Sequence, residues 1–297
     1  MSTRGSPFAQ PRVSLTLACT NQKGGVGKTT TVVNLGTSLA RLGDRVLVVD
    51  LDPQGNATSG FGIDRDAATA SIYDALVDGR TLDALDLPSP IEGLRIIPAA
   101  IELAGADVEL ATVESRERRL AHALPDIRDR FDWILIDCPP SLGLLTVNAL
   151  TAADAVLVPI QCEYYALEGL SQLIATVNLV RENLHPDLAL AGVVLTMYDA
   201  RTNLSADVAL EVRKHLGRAV FETVVPRSVR LSEAPSHGLP IALYAPTSKG
   251  AEAYEQLAAE LRGRRATIRP GSAGPTERTT EPTQPGSATA EYALAAR

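Results

Sequence analysis

The chain has 297 residues, 45% of them apolar and only 4% aromatic, and a formal net charge of −7. An acidic protein is not a general polyanion binder, so any nucleic-acid contact must rest on a local basic patch. The three cysteines, Cys19, Cys138 and Cys162, include no CxxC pair. That argues against a disulfide framework or zinc site and fits a reducing cytoplasm, and no apolar run reaches membrane-spanning length.

In chain order, residues 1–12 are short and polar and read as a flexible arm. From Val13 short apolar runs alternate with helix-like stretches. Strands are expected at Leu15–Cys19, Arg45–Val49, Leu94–Pro98, Trp133–Ile136, Ala155–Ile160, Leu190–Met197 and Val220–Val225. These runs are rich in Val, Ile and Leu on both faces, as buried parallel strands are. Helices are expected at Thr29–Leu42, Ser71–Val77, Arg116–Leu124, Leu167–Asn183 and Ser205–Leu216, with a last one, Lys249–Arg262, packed back on the sheet. The alternation predicts an α/β fold: a doubly wound, mostly parallel sheet with helices on both faces, spanning residues 13–262. From 263 to 297 the composition turns to Pro, Thr, Ser and Gly, which predicts a disordered tail.

The first strand-to-helix junction carries Lys23-Gly24-Gly25-Val26-Gly27-Lys28-Thr29-Thr30. Glycines there let backbone N–H groups turn inward onto phosphate oxygens, Lys28 reaches the β- and γ-phosphates, and the Thr29 hydroxyl ligates Mg²⁺. The usual phosphate-loop pattern places a glycine six residues before the lysine. Here Gln22 stands in that position and an extra lysine, Lys23, opens the loop.

Two further strands end on carboxylates. In an open α/β sheet, ligands sit at the carboxyl ends of the strands. The second strand ends in Asp50 and Asp52, which project to the same side because side chains alternate with period two. One of the two could simply cap the next segment. Asp137 closes the apolar run Ile134-Leu135-Ile136 and reads as a residue holding Mg²⁺ directly or through water. Pro139 to Gly143 behind it read as a loop that senses the γ-phosphate.

These pieces, together with Asp199-Ala200-Arg201-Thr202-Asn203-Leu204 and Val225 to Ser236, resemble the deviant Walker A ATPases of the ParA/MinD family, and within it the chromosomal ParA/Soj branch. The resemblance covers nearly all of residues 13–262. It implies a weak, partner-stimulated ATPase with ATP and Mg²⁺ as cofactors and Lys23 reaching across a nucleotide-sandwich homodimer. It implies that Asp52 orients the attacking water, that Asp50 supports the metal shell through water, and that Pro226 and Ser228 lie near the adenine, Ser228 replacing the asparagine common in relatives. The implied partners are non-specific double-stranded DNA and a ParB-type centromere-binding protein, with the protein cytoplasmic and nucleoid-associated and no stable membrane association. Arg201 and Arg230 fall in the stretches implied to touch DNA. Residues 195–250 hold seven Lys and Arg against five Asp and Glu in an otherwise acidic chain. The same arginines would also suit ordinary surface ion pairs. A MinD-like or other positioning ATPase acting on a membrane or a protein cargo is the alternative.

Overall fold

The computed structural model describes residues 14–65, 68–163 and 166–268. The 1–12 arm and residues 269–297 of the expected tail lie outside them. The strands are β1 Leu15–Cys19, β2 Val46–Asp50, β3 Leu87–Pro88, β4 Leu94–Ile97, β5 Trp133–Asp137, β6 Ala155–Gln161, β7 Ala189–Tyr198 and β8 Val220–Pro226. The helices are α1 Lys28–Arg41, α2 Asn56–Gly60, α3 Ala106–Glu109, α4 Arg119–Ala123, α5 Pro125–Arg128, α6 Leu144–Ala152, α7 Ala166–Asn183, α8 Asn203–Leu216, α9 Val229–Glu233, α10 Ile241–Tyr244 and α11 Lys249–Arg264.

The strands form one sheet in the order β3-β4-β2-β5-β1-β6-β7-β8. Every pairing is parallel except that of the short edge strand β3 with β4. Period-two alternation divides the core between the two faces. Leu47, Val49, Ile134 and Ile136 pack on one face, while Val46, Val48, Trp133 and Leu135 pack on the other. Burial on both faces is what the unbroken Val/Leu/Ile runs require.

Several elements differ from the sequence reading. The expected Ser71–Val77 helix is a π-helical turn, Asp74–Asp78, ended by Gly79 with φ 74°. The expected Arg116–Leu124 helix is a 3₁₀ turn at Arg116–Arg118 followed by α4. Helix α6 was not expected: Leu144 to Ala152 is buried around most of its surface, polar Thr146, Asn148 and Thr151 included, and shows no amphipathic period. The final helix runs past 262. Arg264 donates to the Val220 carbonyl at 2.9 Å, Arg265 donates to the Asp132 carbonyl at 2.9 Å, and Ile268 is buried. The guanidinium of Arg265 also lies 4.7 Å from the Trp133 ring centre. Packing onto the sheet therefore continues at least to Ile268, six residues beyond the boundary set at 262.

Gly192 lets β7 come close to β8. Its φ is 151°, and a Cβ there would stand 2.5 Å from Phe221 Cε2 and 2.9 Å from the Ala219 carbonyl oxygen. Both neighbours are fixed, Phe221 by full burial. Gly192→Ala is expected to cost about 2–3 kcal/mol by overpacking. That lowers the melting temperature by roughly 4–12 °C in a domain of this size, measurable by differential scanning calorimetry.

Candidate functional site

The site forms where β1, β2 and β5 end side by side. In register, Cys19 and Asp50 both face Asp137. The loop from Lys23 to Gly27 leaves β1 and turns into α1. Gly25 at φ 74° and Gly27 at φ 88° take a conformation that disfavours a Cβ, and nothing lies within 4 Å of where a Cβ of Gly24 or Gly25 would be. The loop is thus an open cradle of backbone. It is pinned from β7, because Thr196 Oγ1 donates to the Val26 carbonyl at 2.8 Å. Lys28 is buried at 7% exposure and its Nζ donates to the Lys23 carbonyl at 3.2 Å, which folds its charge into the cradle.

The carboxylates divide. Asp50 is fully buried and fully engaged: its Oδ2 accepts from Thr58 N at 2.8 Å and Thr58 Oγ1 at 2.7 Å, and its Oδ1 from Asp52 N at 3.3 Å. Burial pushes its carboxyl up to about 6, against the pull of those bonds. Of the two readings open for Asp50, these contacts favour the structural one. Asp52 is nearly buried, and its Oδ1 accepts from Gln54 N at 3.0 Å. Asp137 is fully buried and neither carboxylate oxygen meets a hydrogen-bond partner. Burial, then the neighbouring Asp50, hold its carboxyl well above the usual range, while Thr29 and Lys28 beside it pull the other way.

A buried, unpartnered carboxylate beside a threonine and a lysine fits a cation. Among the described residues no group of three or more His, Cys, Asp or Glu side chains forms an ion cage. The fitting ion is therefore one that takes few protein ligands and shares its shell with phosphate and water, as Mg²⁺ does. The cysteines take no visible part: Cys19, Cys138 and Cys162 are free and buried, and burial raises the thiol pKa of each.

Pro226 and Ser228 line a cleft of about 450 Å³ that opens beside Gly27 and Thr30. Its far wall includes Met197, which sits at φ 51°, a left-handed conformation unusual for methionine. Phosphate loop and cleft are thus contiguous, as a nucleotide requires. Three contacts here were not legible in the sequence. Thr58 satisfies Asp50 and Thr196 holds Val26, as described above. Glu163 reaches Lys23 Nζ at 3.5 Å and Arg227 Nη2 at 3.3 Å.

Arg201 and Arg230 follow the adjacent carboxyl ends of β7 and β8, where Tyr198 pairs with Pro226. Both are solvent-exposed, and each has an acidic neighbour. Arg201 grips Asp199 with two bonds of 2.8 and 2.7 Å, and Arg230 meets Glu233 at 3.1 Å.

A strand-to-helix phosphate cradle with a buried lysine and an orphaned carboxylate on the adjacent strand defines a P-loop nucleotide-binding protein. Comparison with known proteins narrows the class. The AAA domain family model matches residues 14–190. The sporulation initiation inhibitor protein Soj of Bacillus subtilis is 59% identical over 82% of this chain and 97% of its own. The chromosome partitioning protein ParA of Myxococcus xanthus is 54% identical over 82% of this chain and 87% of its own. The chain belongs to the Soj/ParA family of chromosome-partitioning ATPases. Among solved structures, a cobyrinic acid a,c-diamide synthase from Mycobacterium smegmatis with bound ADP and magnesium superposes with a TM-score of 0.76 at 40% identity. It covers 86% of this chain and 97% of that one. The Pyrococcus furiosus cell division ATPase MinD superposes with a TM-score of 0.70 at 26% identity, covering 84% and 99%.

The unpartnered Asp137 makes a stability prediction. Because its folded pKa is raised, the ionised form destabilises the fold above the ordinary aspartate pKa. The penalty is absent below about pH 4, where the carboxyl is protonated folded and unfolded alike. Asp137→Asn is expected to raise the melting temperature of the nucleotide-free protein by a few degrees at neutral pH. The gain should shrink as the pH falls and vanish near pH 4. Thermal scans in EDTA across that range check the sign.

Proposed function

We propose that this chain is an ATP-driven partitioning switch: with ATP and Mg²⁺ two copies pair, and the pair holds DNA without reading its sequence. A ParB-type partner then stimulates hydrolysis and releases the pair. The carrying observation is the orphaned Asp137 carboxylate beside Thr29 and Lys28 under an open cradle. The 59% identity to Soj supports the reading.

The roles follow from position. The backbone of Gly24, Gly25, Val26, Gly27 and Thr30 holds the phosphates, and Lys28 neutralises them. Thr29 and Asp137 hold Mg²⁺, which when bound offsets charge on the phosphate oxygens. Asp52, nearly buried and with its Oδ1 accepting from the Gln54 amide, orients water for attack. Pro226 and Ser228 take the base end. Lys23, at the mouth of the loop, is placed to reach a second copy. Hydrolysis by a lone chain is slow because its Lys23 is tied to Glu163 and no second copy supplies a lysine to the phosphates.

Arg201 and Arg230 would exchange their carboxylates for DNA phosphates. A few such contacts give binding only in the non-specific range of about 10⁻⁴–10⁻⁶ M. Pairing makes the contact bivalent and raises avidity without base readout. This places the protein on the nucleoid when ATP is bound. Among the described residues no helix is long and apolar enough to cross a membrane. The amide-synthase and MinD neighbours, at 40% and 26% identity, carry less weight than the partition proteins at 59% and 54%.

Three measurements test this. Lys28→Ala should abolish ATP binding by calorimetry, whereas Asp52→Ala should still bind ATP and remain paired, by light scattering. Wild-type ATP affinity in the Lys28 variant would refute the phosphate assignment. In DNA titrations, binding should need ATP, fall steeply with salt and be lost in Arg201→Glu and Arg230→Glu while pairing survives. Equal binding with ATP, with ADP and in Arg230→Glu would remove DNA from the function.

A further inference from the structure

Glu163 stands just beyond the end of β6 and touches both walls of the nucleotide site. Its Oε2 lies 3.5 Å from Lys23 Nζ, on the phosphate wall. Its Oε1 lies 3.3 Å from Arg227 Nη2, and Arg227 lines the cleft. The carboxylate is held for this double contact. Its own N–H donates to the Gln161 carbonyl at 2.8 Å, and the Gln161 side-chain amide donates to Oε1. Lys23 and Arg227 lie 140 and 64 residues away in sequence, so the contact ties segments that the sheet alone brings together.

This arrangement is not explained by fold stability. The side chains of Lys23, Arg227 and Glu163 are 39%, 53% and 42% exposed, so none needs a partner to be buried. Exposed ion pairs are weak and screened by salt. A weak carboxylate clasp on two cations at the mouth of a polyanion site is instead suited to being displaced. A triphosphate carries several times the charge of one carboxylate and competes for the same cations.

We propose that Glu163 is a latch: in the nucleotide-free monomer it holds Lys23 back against its own chain, and two copies pair only after Lys23 is released. This rests on the pairing role given to Lys23 above. Glu163 acts through Lys23 and Arg227, so it is a positioning residue, and its removal should ease pairing rather than impair it.

The test uses the full chain as wild type, Glu163→Gln, Lys23→Gln and, as a control for charge alone, Glu182→Gln on the exposed face of α7. First, the nucleotide-free proteins are acetylated with an amine-reactive reagent, and the rate at Lys23 is read by mass spectrometry. Second, pairing is followed by light scattering against a non-hydrolysable ATP analogue with Mg²⁺. Glu163→Gln is expected to raise the Lys23 acetylation rate about two- to fivefold and to lower the analogue concentration for half-pairing about two- to tenfold, the scale of one or two exposed ion pairs. Glu182→Gln should change neither. Unchanged pairing in Glu163→Gln, with or without faster acetylation, overturns the latch. Weakened pairing also overturns it, since the carboxylate would then serve the pair itself. Those results leave the function reading intact if Lys23→Gln fails to pair. If Lys23→Gln pairs as wild type does, the pairing role of Lys23 falls, and the latch with it.

Discussion

Asp137 ends a strand whose other residues are entirely apolar and entirely buried, and its carboxylate has no hydrogen-bond partner. Leaving such a group unpaired costs several kcal/mol unless something compensates. The neighbouring strand brings Asp50 to the same level, which would double the problem, but Thr58 and the Asp52 amide absorb Asp50 completely. One carboxylate of the pair is thus spent on structure and the other is kept available. The phosphate loop, buried Lys28 and Thr29 are arranged around the available one. A fold that buries such a carboxyl gives up stability without its ligand, and on the proposed reading recovers it when a cation arrives.

The surface follows a related logic. Lys23, Arg201, Arg213, Arg227 and Arg230 each have a carboxylate within 4.0 Å. In an acidic chain this pairing makes the region of net positive sequence charge nearly neutral in effect. DNA phosphate would have to displace Asp199 and Glu233 rather than meet free cations. On the proposed reading that keeps a single copy off DNA, because exchanging one carboxylate for one phosphate gains little. Two copies joined by nucleotide double the exchanges within one encounter, so occupancy follows pairing more steeply than it would with bare arginines.

The central strands, the phosphate loop and the three aspartates were legible because each is written locally: a buried apolar run, a glycine spacing, a carboxylate at a strand end. What was not legible depends on neighbours far away in sequence. Helix α6 is buried around most of its surface, so its sequence shows no period. Edge strand β3 is two residues long and includes Pro88, too little for a pattern. Glu163 reads as one more solvated acid until the sheet order sets β6 beside β1 and β7 beside β8. The end of the domain was misplaced for a related reason. Arg264 and Arg265 look like the start of a polar tail, but their guanidiniums lie over Phe221 at 4.1 Å and Trp133 at 4.7 Å. Arginine packed on an aromatic face contributes to a core without looking apolar.

Strand β7 connects these parts. Thr196 holds the phosphate loop through the Val26 carbonyl at 2.8 Å, Met197 faces the cleft at φ 51°, and the Tyr198 carbonyl receives Arg227 N–H at 2.9 Å. Three consecutive residues therefore touch the phosphate loop, the cleft and the segment that continues into α9 and Arg230. The register between β7 and β8 shifts between Leu195 and Tyr198, so the ladder is irregular along this stretch. Met197 takes its left-handed conformation within this irregular stretch. On the proposed reading, a short and continuous run of contacts joins the phosphate loop to the arginines assigned to DNA. The route runs through the strand end that also positions Arg227, one of the two cations clasped by Glu163.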